Sequence, residues 1–450
     1  MSSMKRIALA LSLIIALSFS ALAGTGYHGT VQAATNVTGI IASDTHWTKA
    51  NSPYTFTGPV AVDNGVTLTI EPGVMVNVGD YYLQVNGTLR ASGSDSEKIQ
   101  FNGNSRIEFR GTAGFVHYGY VAFYGSSVSY NQQSGSGCLV ENTVFNCDII
   151  LNAASPKLSK VTFLTVDVNG GTPTFSDCDI SEGMGVYGSS STIANCTISG
   201  YSSYHGFAYS RPRTENTLVV SGSPNIAHNE IKGPVLLFDG VSVIVGNTLG
   251  RLTIESGSGL VTGNKINGSV EIEGGTATVE KNLIQSSAIG LKVASQAVVQ
   301  HNTIRDCETA IVASKQATIV NNNFEGFKHS VNLTSSADFN VAYNWWGTTD
   351  NQAISQSIYD FEDDFNLGKV TFTPFLTSPD PNATPDPNTP TPTPEQTPAT
   401  SPAPTQPSTS TPDQEPILTP EQSQAILGAA VVIVVIGAGL GLLIYLIKRK

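Results

Sequence analysis

The chain of 450 residues carries a formal net charge of −12, and about −11 of that belongs to its central body once the basic ends and an acidic Pro-rich segment are set apart. A body so acidic excludes nucleic acid and anionic lipid surfaces as its partners and tolerates divalent cations. Gly, Asn, Ser, Thr and Val dominate it without any amphipathic helical period, which excludes helical bundles and indicates an all-β chain rich in turns.

Residues 1–34 are expected to form a signal peptide. Lys5 and Arg6 precede an apolar run over residues 7–22, too short for a comfortable membrane span, and small residues follow it. An uncleaved anchor is the competing reading, and either one takes the following residues out of the cytoplasm.

Residues 35–376 carry an internal repeat: an apolar residue, two variable residues, Asn, one variable residue, another apolar residue. The asparagine slot is filled by Thr143, Val161, Cys178 and Cys196, then by Asn229, Asn247, Asn264, Asn282, Asn302, Asn322 and Asn344. The steps are 18, 17, 18, 33, 18, 17, 18, 20, 20 and 22 residues, too short for paired-helix repeats. Short alternating segments such as Val270-Glu271-Ile272 lie between the slots. The physical solution is a coil of three short strands per turn, stacked at about 4.8 Å so that inward apolar residues form columns. One coil cannot bury its apolar face, whereas eleven or more can. The seven asparagines are expected to be scaffold, at a turn whose backbone enters the left-handed region, with side-chain amides bonded along the column. Cys178 and Cys196 share that slot in adjacent coils, where a disulfide and a stacked pair of buried thiols are both open. Five cysteines leave at least one unpaired in a monomer, and none has CxxC spacing.

At its two ends this body resembles a known group. GVTLTIEPG at residues 65–73 and YYLQVNGTL at residues 81–89 are similar to the first coils of prokaryotic right-handed β-helix proteins of the pectate-lyase-like superfamily. Asn344-Trp345-Trp346-Gly347 with Phe372-Thr373-Pro374-Phe375 is similar to their last coil and cap. The resemblance covers about residues 45–376 and implies an all-β, single-stranded right-handed parallel β-helix. It implies no single activity, because these proteins include lyases, hydrolases, adhesins and surface proteins. Their lyases need Ca²⁺ on clustered carboxylates and an Arg or Lys base, and their hydrolases need several Asp residues together. The hydrolases' Asn-Thr-Asp, Gly-His-Gly and Arg-Ile-Lys motifs are missing here, and the only Asp-Asp is Asp363-Asp364 in the cap.

Two candidate sites follow from the repeat. The 33-residue step carries a surplus near residues 200–216 with Tyr201, Tyr204, His205, Phe207, Tyr209, Arg211 and Arg213. Rings stack on sugar faces and arginines hold carboxylates, so this excursion suits a glycan or uronate ligand; packing of the rings back over the helix, or an extra coil, is the alternative. Asp239, Glu255 and Glu273 each follow a strand's last apolar residue (Phe238, Ile254, Ile272), so they are expected to stack on the outer surface as oxygen ligands for Ca²⁺. Three solvated acids at a turn are the alternative. His228 and His301 share the position before the asparagine slot but stand four coils apart, roughly 19 Å, too far for one metal. Sequons at Asn36, Asn86, Asn195, Asn267, Asn332 and Asn382 fit an extracellular glycoprotein.

Residues 377–423 are expected to be a disordered Pro/Thr-rich stalk, with 14 prolines and six acids in its first 45 residues and no Lys or Arg. Residues 424–447 lack charge and are long enough for a transmembrane helix, and Lys448, Arg449 and Lys450 form a cytoplasmic tail. The expectation is a single-pass type I protein of the plasma membrane with an extracellular β-helix. Three functions are weighed: non-catalytic binding of carbohydrate or cell-envelope components, a tethered Ca²⁺-dependent polysaccharide lyase or other glycan-active enzyme, and an architectural envelope element.

Overall fold

The computed structural model describes residues 33–109, 115–201 and 216–383, with backbone alone for 106–109 and 115–117. Almost all of the expected signal peptide, most of the stalk and the span at 424–447 lie outside these residues. Among the described residues no helix is long and apolar enough to cross a membrane. The described residues all fall within the unit Met1–Pro392.

This unit is a parallel β-solenoid of about 14 turns. Each coil contributes a strand to each of three ladders. In a typical coil Val243–Val245 belongs to the first ladder, Thr248–Leu249 to the second and Leu252–Ile254 to the third. Asn247 sits at the corner between the first two. The first ladder holds 13 strands among the described residues, from Thr45–Trp47 to Thr318–Val320. In two coils the second and third ladders run on without a break, as Leu283–Val293 and Thr303–Ala313.

Alternation explains the columns. In Leu252–Ile254 and Val270–Ile272 the outer residues of each triplet are buried and the central one faces out. Stacking such triplets in register gives the first ladder an inward column running through Val140, Leu158, Phe175, Ile193, Ile226, Ile244 and Val261, each fully buried. The second ladder stacks Phe101, Phe145 and Phe163 ring over ring, with centroids 4.7 and 5.6 Å apart. Each such side chain contributes roughly 1.5–3 kcal/mol by leaving water, which no coil could collect alone. At the C-terminal end, Trp346 stacks on Phe324 at 4.7 Å, and the short helix Asn351–Gln356 buries Ile354. Asp350 caps that helix by accepting the N–H groups of Gln352 and Ala353.

The asparagines form the corner between the first and second ladders, and all seven are buried. Asn264 is typical. Its Oδ1 accepts the backbone N–H and the Nδ2–H of Asn247 at 2.8 and 3.0 Å. Its own Nδ2 donates to Asn282 Oδ1 and to the carbonyls of Ile244 and Thr262. The left-handed residue is not the asparagine, contrary to expectation, but the one before it: Lys160, Asp177, Asn195, His228, Lys281, His301, Asn321 and Tyr343 have φ between 53° and 62°. The turn is made one position early so that the asparagine can point inward. His228 and His301 thus hold the same bend in two coils.

All five cysteines are free thiols and all are buried. Cys178 and Cys196 stack in the asparagine slot as thiols, not as a disulfide. Their mutual hydrogen bond, followed by burial, pushes the Cys178 thiol well above its usual range.

The repeat breaks twice. Besides the step from Cys196 to Asn229, a longer one separates Ile99 from Thr143, which are register partners in adjacent coils. Ile99 fills the slot without an asparagine, so the repeat leaves no mark of this step in the sequence. It contains an antiparallel hairpin, Arg106–Phe109 with Phe115–Tyr118. The folded body also runs past residue 376: Ala383 is fully buried, so residues 377–383 belong to the solenoid and not to the stalk.

Candidate binding face

The outer surface of the third ladder collects the aromatic and acidic side chains. Its strands begin at register-matched positions occupied by Tyr82, Tyr120 and Asp148, in successive coils. Parallel pairing brings Tyr82 and Tyr120 ring to ring, centroids 5.3 Å apart and 16° from parallel. Tyr124 ends the same strand as Tyr120. Burial first, then the neighbouring phenols of Tyr124 and Tyr82, push the Tyr120 hydroxyl up to about 12, so it stays a hydrogen-bond donor at any physiological pH.

Two aspartates lie next along the face. Asp148 Oδ1 accepts the hydroxyl of Thr165 at 2.6 Å, and the Asp148 backbone N–H donates to Ser105 Oγ. Asp167, one coil on, is the outward residue between the buried Val166 and Val168. Its carboxyl is pushed up to about 7, first by loss of water around it and then by the charge of Asp148. Gly185 follows Asp167 in register. A Cβ there would stand 2.5 Å from the Tyr187 ring, so the missing side chain is what lets Tyr187 lie flat across the strand. Phe238 is tilted against Tyr187 at 6.3 Å. Beyond them the outward residues Val219 and Leu236 are themselves buried.

Both breaks in the repeat fall between a strand of the second ladder and a strand of the third. The hairpin enters the strand Tyr120–Tyr124, and residues 199–217 enter the strand Leu218–Gly222; each leaves from the corner between the second and third ladders. Four coil steps, roughly 19 Å, separate the two departures. Asp148, Asp167 and Tyr187 lie between them. Of the residues expected to bind a ligand on the second excursion, Tyr201 is exposed. Tyr204, His205, Phe207, Tyr209, Arg211 and Arg213 lie outside the described residues.

The expected carboxylate triad is not assembled. Leu237, not Phe238, pairs with Ile254, and Ile254 pairs with Ile272. Phe238 therefore occupies the place in line with Glu255 and Glu273, while Asp239 falls one residue beyond and turns back to accept the N–H of Gly240. Glu273 lies 3.8 Å from Lys292, and the nearby Glu271 is bound by Lys292, Arg251 and Ser269 at 3.6, 4.0 and 3.0 Å. These acids are answered by cations of the protein itself. Among the described residues no group of three or more His, Cys, Asp or Glu side chains is placed to hold a metal ion.

Asp148 and Asp167 were missed in the sequence because each is a lone acid in its own strand. The available signal was Val166-Asp167-Val168, an outward carboxylate framed by two inward residues. No protein family model, curated protein or solved structure matches this chain.

Proposed function

We propose that this protein binds carbohydrate, without transforming it, along the outer surface of the third ladder, as the extracellular part of a surface-anchored right-handed β-helix of the pectate-lyase-like kind. The observation that carries the reading is a staggered set on the outward side of the third ladder: Tyr82, Tyr120 and Asp148 share one register position, Asp167 stands two residues further along its strand and Tyr187 four. Phenol rings offer flat apolar surface with a polar tip, and carboxyl groups accept paired sugar hydroxyls. A solenoid face repeats its spacing coil after coil, which suits an extended chain ligand. The exposed Tyr201, where the second excursion leaves the corner, is then a flank of the same site and supplies a further ring.

A second reading, a glycan-active hydrolase, is favoured by one feature. A carboxyl that holds its proton near pH 7 beside another carboxylate is the pairing that glycosidic bond cleavage requires, one group as acid and the other as base or nucleophile.

One experiment separates the two. The protein is applied to a glycan array, and the bound glycans are then incubated with it while reducing ends and unsaturated products are measured. Binding without product, weakened about tenfold or more by Tyr120→Ala or Tyr187→Ala, supports the binding reading. New reducing ends that vanish in Asp167→Asn replace it with the hydrolase. Absence of glycan binding in a folded protein removes both.

A further inference from the structure

The segment that follows the cap does not leave the solenoid at its end; it turns back along the side. Leu376 donates its N–H to Asn344, residue 380 reaches Asn323, and residue 383 reaches Thr303, so the strap crosses three successive coils toward the N-terminus. Asn323 reads the strap's backbone from both sides. Its Oδ1 accepts the Asp380 N–H at 2.7 Å and its Nδ2 donates to the Asp380 carbonyl at 3.0 Å. The Asp380 carboxylate meets His301 Nδ1 at 2.6 Å through Oδ2. Through Oδ1 it accepts the N–H and side-chain amide of Asn382, at 3.0 and 3.3 Å, holding the segment in a tight turn. Thr303 donates its hydroxyl to the Ala383 carbonyl at 2.8 Å. Asn323 is only 4% exposed and Ala383 is 0% exposed.

Asn323 is therefore a buried amide whose donor and acceptor are both satisfied by the strap's backbone, a paired match that an apolar cover could not supply. Its register partner one coil back is Thr303, and the next back is Leu283, neither of which has an amide to do the same. The arrangement occurs in one coil. The docked sequence, Pro379-Asp380-Pro381-Asn382-Ala383, is followed six residues later by Pro385-Asp386-Pro387-Asn388-Thr389. The two copies differ only at the last position, where the docked copy carries the fully buried alanine.

We propose that His301, Thr303 and Asn323 form a peptide-recognition socket for Pro-Asp-Pro-Asn followed by a small residue, with residues 379–383 as its resident and residues 385–389 as its weaker, second occupant. The prolines fix an extended entry, the aspartate supplies the charged contact, and the buried alanine sets the size limit. Threonine at that place adds two heavy atoms to a closed pocket, and overpacking ranks the second copy below the first. The two copies make the strap exchangeable by a slip of six residues.

The test uses the full-length chain carrying Asp380→Pro and Asp386→Pro, which removes from both copies the carboxylate and the backbone N–H that Asn323 accepts, with its melting profile as the control for folding. A fluorescent peptide of sequence SPDPNAT is titrated in and followed by anisotropy. Saturable binding is expected, weakened about tenfold or more when the peptide's Asp is replaced by Ala. A peptide ending in Asn-Thr in place of Asn-Ala is expected to bind about tenfold more weakly. Asn323→Ala in the same background should abolish binding. Thr303→Val, which keeps the shape and removes one hydrogen bond, should weaken it about fivefold without unfolding the chain. A folded double variant that ignores SPDPNAT, or binds a scrambled peptide as well, overturns the socket. Equal affinity for the two endings overturns the ranking of the copies.

Discussion

Each asparagine of the corner column after Asn229 is answerable for two donors that are not its own. Asn264 Oδ1 is the only partner found for the backbone N–H of Asn247 among the described contacts, and it takes one Nδ2–H of the same residue as well. Removing it strands both in a dry site, at about 1–3 kcal/mol for each unsatisfied group. Asn264→Ala is therefore expected to lower the unfolding free energy by roughly 3 kcal/mol or more, measured by urea titration. A surface asparagine such as Asn366, bonded only to the nearby Asp364, should tolerate Ala within about 0.5 kcal/mol. Asp167 gives a residue-scale test of a different kind. Its folded carboxyl titrates near 7 against an ordinary 3.8, so the native chain keeps a proton that the unfolded chain releases between those values. Stability from this group is thus complete below pH 3.8 and is lost as pH rises through 7. Asp167→Asn should match the parent in acid and exceed it above pH 7, by on the order of 2 kcal/mol after its partial exposure is discounted. Equal stability of the two at pH 8 would mean that the site is better hydrated than the fold implies.

At the scale of the strand, legibility followed how much of each side chain's environment is local. The asparagine column was readable because every coil must place the same group in the same dry corner. Its left-handed residue was assigned one position late, because Lys, His, Tyr, Asp and Asn all occupy that bend and leave no common mark. Val235-Leu236-Leu237-Phe238 is a run of four apolar residues, which erases the alternation that tells inward from outward; Asp239 was therefore placed in line with Glu255. Leu237 is the residue that points in, and Phe238 takes the edge. The Asp148–Asp167 pair and the Tyr82–Tyr120 stack are made by pairing between coils, 19 and 38 residues apart, and no window of a single strand contains them.

For the whole molecule, the coil is the unit of addition. Its contacts are with the coil before and the coil after, so the stack behaves as a one-dimensional array of similar interfaces. Deleting residues 265–282 joins Asn264 to Leu283 and removes one complete period, from one asparagine slot to the next. The shortened chain is expected to fold with the same β-sheet circular dichroism and a melting temperature lower by only a few degrees. Deleting residues 265–273 removes the second- and third-ladder strands of one coil while keeping its first, breaks the ladders at that junction, and should split the cooperative transition or lower it by far more. If both deletions behave alike, the coils do not add independently.

The corner column also has a direction. Each amide from Asn229 to Asn322 donates an Nδ2–H to the oxygen of the next, so the oxygens from Asn247 to Asn344 all face the preceding coil. At one terminus the oxygen of Asn229 is met by the N–H of Cys196 at 2.8 Å; at the other, the nitrogen of Asn344 is spread over the carbonyls of Ile319, Val341 and Ala342. Seven side-chain dipoles thus add head to tail in the interior, parallel to the solenoid axis and mutually polarising. A coil offered in the reverse sense would find oxygen facing oxygen, so the column acts as a rectifier for assembly, accepting new turns in one orientation and refusing the other.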